Sequence, residues 1–216
     1  MIDIVTYRWH EPWIVNYYGG SQEAVLYTEE HVDMIHHQIR KNMILPCSIH
    51  HYSKDGSDKV GSDVVSHDFE DDFGGWWTLF SLMRRPDPFL FIGIDNVILK
   101  DLSILVEYAY GKGTHTCQSP KKGTSYSGVV WVEDGPSHYE RFLEFWNDDK
   151  YDKNEWHDEL YIEEFSGFKR FPYEWLRSYT RQYLRGIDCS DAVVMAFAGR
   201  PKYWEVDDEW VRDATR

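Results

Sequence analysis

The chain has 216 residues, with 23 Lys and Arg against 37 Asp and Glu, a formal charge of −14 and a pI near 5.1. That length accommodates one domain over residues 1–216 with a sizeable core, and 42% hydrophobic with 28% charged residues is globular usage that excludes a disordered chain. The acid excess argues against nucleic acid as the main partner, because duplex binding draws its non-specific affinity from Lys and Arg that displace counterions.

The first segment, residues 2–7, alternates apolar and polar side chains with β-branching and reads as a strand. A helix is predicted over residues 28–43: Thr28 caps it, and Val32, Ile35, Ile39 and Met43 follow at spacings of three and four. Residues 47–52 read as a second strand. Its His50-His51 pair points to opposite faces, so one buried and one exposed histidine is the expectation rather than a metal site, and the same holds for His36-His37 on the helix. Residues 53–72 read as a polar, solvated loop without calcium-loop spacing, and residues 78–83 as a short helix.

Residues 89–99 form the most apolar run, expected as one central strand covered on both faces. It breaks at Gly93, Asp95 and Asn96, far short of the ~20 residues that span a bilayer, so no membrane insertion is expected. A helix over 101–108, a loop over 111–125, a strand over 128–132, helices over 137–146 and 158–165 and a last strand over 191–197 complete the pattern, that of an α/β domain. Cys47, Cys117 and Cys189 are widely spaced, which removes a zinc knuckle, a CxxC redox site and a disulfide framework. The amino-terminal stretch lacks a basic region followed by an apolar one, and the expectation is a cytoplasmic protein. The 10 Trp, 15 Tyr and 11 Phe supply core area and suit stacking on a sugar or base.

Four segments in order resemble the small GT-A-type glycosyltransferases of bacteria and phages, which carry an Asp-x-Asp motif. Phe91-Ile92-Gly93-Ile94-Asp95-Asn96-Val97-Ile98 with Lys100-Asp101-Leu102 is similar to that family's apolar strand ending in Asp-x-Asp. Tyr126-Ser127-Gly128-Val129-Val130-Trp131 resembles its donor-sugar segment, and His157-Asp158-Glu159 its Asp-Gln element near the reacting centre. Ala196-Phe197-Ala198-Gly199-Arg200-Pro201-Lys202-Tyr203-Trp204 resembles its Phe-His-Gly-Lys-Pro-Lys-Pro-Trp ending.

The resemblance implies a GT-A fold, with a central, mostly parallel mixed sheet flanked by helices, and a nucleotide-diphosphate sugar as donor. It places Thr6, Tyr7, Arg8, Asp95, Asn96, Ser127, Gly199, Arg200 and Lys202 at the nucleotide and diphosphate, Asp158 as catalytic residue against the donor sugar, and Trp76, Trp77 and Tyr126 at the substrates. The leaving diphosphate needs its charge offset, usually by a carboxylate-held divalent cation. Gly93 stands where the first aspartate would be and Ala198 where the histidine ligand would be, so Asp95 alone remains for manganese or magnesium and no conventional metal site is expected. Arg200 and Lys202 are point charges suited to phosphate.

Three functions follow from the resemblance: a glycosyltransferase with weakened or lost metal dependence, a catalytically silent relative that binds a sugar nucleotide or a protein, and a phage DNA-modifying sugar transferase. The third draws on Lys121-Lys122 and on Arg177, Arg181 and Arg185, which fall at i, i+4 and i+8 of a predicted helix. Acceptor specificity is expected in the loops over residues 53–72 and 111–125.

Overall fold

The computed structural model describes residues 1–8, 15–17, 20–22, 27–69, 73, 77–119, 124–152 and 157–215. In chain order the elements are β1 (Ile2–Arg8), β2 (Val15–Tyr17), β3 (Gly20–Gln22), α1 (Glu29–Lys41), β4 (Cys47–Ser53), β5 (Val64–Asp68), α2 (Thr78–Leu82), β6 (Phe89–Ile92), β7 (Asn96–Ile98) and α3 (Ser103–Ala109). They continue with β8 (His115–Gln118), β9 (Ser125–Val132), α4 (Gly135–Trp146), α5 (Asp158–Tyr161), β10 (Lys169–Arg170), β11 (Leu176–Ser178), β12 (Val194–Ala196) and α6 (Glu209–Thr215).

The main sheet runs β10-β8-β9-β6-β1-β4-β5. Its pairs are parallel at β1/β4, β1/β6, β4/β5 and β8/β10 and antiparallel at β6/β9 and β8/β9, so the sheet is mixed and mostly parallel, as expected. A small sheet, β11-β12-β7, lies beyond the end of β6. The central strands β1, β6 and β9 each carry consecutive buried residues and are covered on both faces there. Ile4 of β1, Leu90 of β6 and Trp131 of β9 enter a core with Val32, Ile35 and Ile39 of α1 and Leu105 and Val106 of α3. Their neighbours Val5, Phe89, Phe91 and Val130 enter a second core with Phe80 of α2, Phe142 and Phe145 of α4 and Tyr161 of α5. That alternation is what helices on both faces require of a sheet. A third core of Val97, Tyr179, Met195, Phe197, Tyr203 and Val211 closes the small sheet against α6.

The helix starts carry local signals. The Thr28 amide donates to His31 Nδ1 at 3.0 Å ahead of α1, and Asp134 accepts from the Ser137 amide at 3.2 Å ahead of α4. His51 and His36 are buried while His37 is exposed and His50 half-buried, as the strand and helix periods predict.

Four expectations need correction. The run over 89–99 is two strands in two sheets: the chain turns at Gly93, whose amide donates to the Gly128 carbonyl at 2.8 Å, and Asn96 locks the turn by donating Nδ2 to the Gly93 and Gly128 carbonyls at 2.9 and 3.1 Å. The loop over 53–72 contains β5, and the loop over 111–125 contains β8; both strands are short and polar, and neighbouring strands rather than their own patterns specify them. Arg177, Arg181 and Arg185 share no helix, because Leu176–Ser178 pairs with β12 and the following turns end at Gly186 with φ +72°. Asp58 is not solvated surface; it is buried and ion-paired with Arg8.

Candidate functional site

The chain leaves β1 for β4 on one side and returns to β6 on the other, so strand order reverses at β1. In open α/β sheets the crevice outside the carboxyl ends at such a reversal is where ligands bind. Here it gathers Tyr7 and Arg8 from β1 and Asp95 from the turn after β6. The antiparallel β9, with Ile92 opposite Val129, brings Tyr126 and Ser127 to the same end.

Asp95 is the centre of the arrangement. Its Oδ2 accepts from Lys202 Nζ at 2.9 Å, and its charge acts on the buried Tyr27 phenol. Lys202 reaches it because the amide of Phe197, just past β12, donates to the Asp95 carbonyl at 3.0 Å and delivers the following turn to the site. The ammonium also donates to the Phe197 carbonyl at 3.2 Å and lies 5.4 Å from the centre of the Tyr27 ring; the residue is only 5% exposed. Tyr7, Tyr27, Tyr126 and Tyr203 face this carboxylate, and burial first, then the Asp95 charge, raises each phenol above its ordinary value; at Tyr7 the Asp158 charge adds to burial ahead of Asp95.

Asp158 opens α5 at 3% exposure. Burial pushes its carboxyl up to about 6, against hydrogen bonds from Ser127 and the Glu159 amide, the latter at 2.8 Å, that favour the ionised form. Tyr126 is buried, and its hydroxyl donates to Asn96 Oδ1 at 3.0 Å, so this residue and Asn96 brace the strand break. A Cβ at Gly128 would lie 2.5 Å from the Tyr126 ring, which is why glycine occupies that place.

The structure brings Tyr7, Asp95, Ser127, Asp158 and Lys202 together. It places others elsewhere. Thr6 is fully buried beneath the crevice, hydrogen-bonded to His36 and His51. Arg8 is engaged by Asp58 and the Tyr27 carbonyl. Gly199 forms an exposed turn at φ +79°, and the Arg200 side chain, 59% exposed, pairs with Glu205 at 2.6 Å. Trp77 lies in the second core at 3% exposure, ringed by Phe80, Phe142, Phe145 and Trp146, which is the position of a core ring rather than of an acceptor wall. Trp76 and Lys121-Lys122 lie outside the described residues. Sequence reasoning missed Tyr27, whose signal is an aromatic residue just before the helix cap, Tyr203, which lies inside the last motif but has no role in it, and Asp58, which carries none.

Asp95 is engaged by the Lys202 ammonium, the Gly93 and Ala198 side chains offer no ligand atom, and among the described residues no group of three His, Cys, Asp or Glu converges on a metal position. Among the described residues no helix is long and apolar enough to cross a membrane.

No family model matches the sequence, and no curated protein matches it. Solved structures do. The glycosyltransferase GlyE of Streptococcus pneumoniae TIGR4 aligns over 100% of this chain and 61% of its own, with a TM-score of 0.69 at 11% identity. The galactosyltransferase LgtC, in complex with donor and acceptor sugar analogues, aligns over 99% and 95% with a TM-score of 0.61 at 12% identity. The bifunctional glycosyltransferase WbbM aligns over 99% of this chain and 49% of its own, with a TM-score of 0.63 at 12% identity. The chain thus spans less than two thirds of GlyE and of WbbM and nearly all of LgtC. With its mixed sheet, its helices on both faces and a crevice at the reversal of strand order, the chain has the fold of the GT-A glycosyltransferases.

Proposed function

We propose that the protein binds a nucleotide-diphosphate sugar and transfers the sugar to an acceptor without a divalent cation. The observation that carries this reading is the Lys202 ammonium on Asp95, a fixed positive charge at the carboxyl end of the sheet where the departing diphosphate needs one. Two of its three donor hydrogens have acceptors among the described residues, Asp95 and the Phe197 carbonyl, and the third serves a phosphate oxygen. In the transfer, the bond from the sugar's anomeric carbon to the leaving phosphate oxygen breaks with its electron pair on the diphosphate. The acceptor oxygen bonds to the same carbon and its proton passes to the diphosphate. Asp158 orients sugar hydroxyls and, ionised, stabilises the positive charge that develops on the ring, while Ser127 holds that carboxyl in place.

Ion pairing favours a second reading, that of a silent relative that binds the donor without turning it over. Lys202 with Asp95, Arg8 with Asp58 and Arg200 with Glu205 are all mutually engaged. A DNA-modifying role receives no comparable support, since the three arginines do not line one helix face.

A thermal-shift screen of nucleoside diphosphates and their sugars, in chelator and in manganese, tests the donor reading. Ligand at 100 times Kd contributes about 2.7 kcal/mol of stability, and the expected result is the same stabilisation in both buffers. Absence of any shift removes both donor-binding readings. Slow release of free sugar from a bound donor separates transferase from silent relative.

A further inference from the structure

Directly beneath the crevice, four buried side chains from four parts of the chain form one hydrogen-bonded row. His36 Nε2 of α1 lies 2.9 Å from Thr6 Oγ1 of β1, which lies 2.9 Å from His51 Nδ1 of β4, and His51 Nε2 lies 2.8 Å from Asp58 Oδ2. Thr6 and His51 face each other because they are register partners in the β1/β4 pair. An Asp-His-hydroxyl row has the composition of a nucleophilic triad. Here that chemistry is shut off: Thr6 Oγ1 is fully buried and is engaged by a histidine on either side.

The direction of every hydrogen bond in the row follows from Asp58. Burial opposes its ionisation, but hydrogen bonds from His51 and Arg8 prevail and hold the carboxyl at about 2, so it accepts only. His51 Nε2–H therefore donates to Asp58, and in the neutral tautomer that leaves Nδ1 bare, Nδ1 accepts from the Thr6 hydroxyl while Thr6 Oγ1 accepts from His36 Nε2–H. The row thus fixes Asp58 as a rigid anion, and that anion holds Arg8. Arg8 Nε donates to Asp58 Oδ2 at 2.8 Å, a second guanidinium nitrogen pairs with Oδ1, and the third donates to the Tyr27 carbonyl at 2.9 Å.

Tyr27 is the link to the site. Its ring underlies Lys202 at 5.4 Å and meets Trp204 edge to face at 5.7 Å, while His31, one turn into α1, stacks on Trp204 at 3.7 Å. The segment carrying Tyr27 therefore shapes the cation end of the crevice, and Arg8 grips its main chain from below.

We propose that Arg8 is a positioning residue: clamped by the buried Asp58–His51–Thr6–His36 row, it fixes Tyr27 so that Asp95 and Lys202 are held in register for the diphosphate of the donor. The proposal rests on the donor-binding reading above for its ligand, but the coupling of Arg8 to Lys202 through Tyr27 stands on geometry alone. Three separate contacts from one planar fork demand arginine; an ammonium is a point charge that cannot reproduce them.

A double-mutant cycle with Arg8→Gln and Tyr27→Leu in the full chain tests the coupling, with two readouts: the Kd for nucleoside diphosphates, and the hydrogen-exchange rate of the Lys202 ammonium by nitrogen-15 NMR. The expected result for Arg8→Gln alone is a loss of affinity of about tenfold and a comparable rise in exchange rate, with Arg8→Lys failing to rescue either. In the Tyr27→Leu background the same change adds about twofold or less, because the ring that carries its effect to Lys202 is already gone. Additive losses, or wild-type values for both readouts in Arg8→Gln, overturn the proposal. Should Arg8→Gln not fold, Arg8→Lys takes its place in the cycle. A wild-type protein that binds no nucleotide sinks the donor reading but leaves the ammonium readout to judge the coupling by itself.

Discussion

Lys202 Nζ sits 2.9 Å from Asp95 Oδ2, across 107 residues of sequence, and the two side chains close the crevice at the carboxyl end of β6 with an internal ion pair. A lysine so placed offers charge without the coordination shell a metal needs. The pair joins two segments that the resemblance to GT-A enzymes had singled out separately, and a second partner, Tyr27, comes from a third.

The pair is asymmetric in its burial, and its two halves differ in cost. Asp95→Ala leaves the enclosed ammonium with one carbonyl acceptor and is expected to destabilise the fold by about 3–5 kcal/mol. Lys202→Met leaves a carboxylate that is more exposed to water, for a loss of about 1–2 kcal/mol. Urea unfolding of both variants measures the difference, and equal losses contradict the burial argument.

Asp158 predicts an unusual pH dependence. Its folded value near 6 lies above the 3.8 of the free side chain, so the native state binds this proton more tightly than the unfolded state. The contribution is fully present below pH 3.8 and is lost as pH rises through 6, which leaves the ionised group at a cost of about 3 kcal/mol at pH 7. Asp158→Asn is therefore expected to stabilise the protein at pH 7 by up to about 3 kcal/mol, to gain little at pH 4, and to abolish sugar transfer. Denaturant curves at the two pH values check the sign.

The strand break is held by Tyr126 and Asn96. Tyr126→Phe removes the donor to Asn96 Oδ1 and is expected to cost about 1–3 kcal/mol. Gly128→Ala drives a methyl group into the Tyr126 ring, at 2.5 Å before relaxation, and is expected to cost about 1–3 kcal/mol while loosening the crevice. Unfolding curves paired with nucleotide affinity separate the two effects.

Trp77 provides the contrast. As a ring of the second core it is expected to cost about 3–5 kcal/mol as Trp77→Ala, with nucleotide affinity at the wild-type value in the folded fraction. A stable variant with lost acceptor binding instead returns Trp77 to the substrate side.

The alternation of Ile4 with Val5 and of Leu90 with Phe89 and Phe91 was legible because both faces of a central strand must be apolar, and the spacing of Val32, Ile35 and Ile39 was legible because a helix repeats every 3.6 residues. β5 and β8 were not, since edge or polar strands borrow their conformation from neighbours. At the site, Asp95, Asp158 and Lys202 stood out by motif, whereas Tyr27, just ahead of the helix cap, and Asp58, in a polar stretch, take their roles only when β1, α1 and β4 are assembled. Thr6 and Arg8 were placed at the nucleotide because they end β1, but strand alternation turns Thr6 inward and the Asp58 carboxylate draws Arg8 down after it.

Calorimetric titration of nucleoside diphosphates into the wild-type protein and into Lys202→Met, each in chelator and in manganese, bears most directly on Lys202 as the resident cation. The prediction is a wild-type Kd equal in the two buffers to within about twofold, and at least about tenfold weaker binding by Lys202→Met in both. Wild-type binding that appears only with manganese, or binding that survives Lys202→Met unchanged, contradicts it.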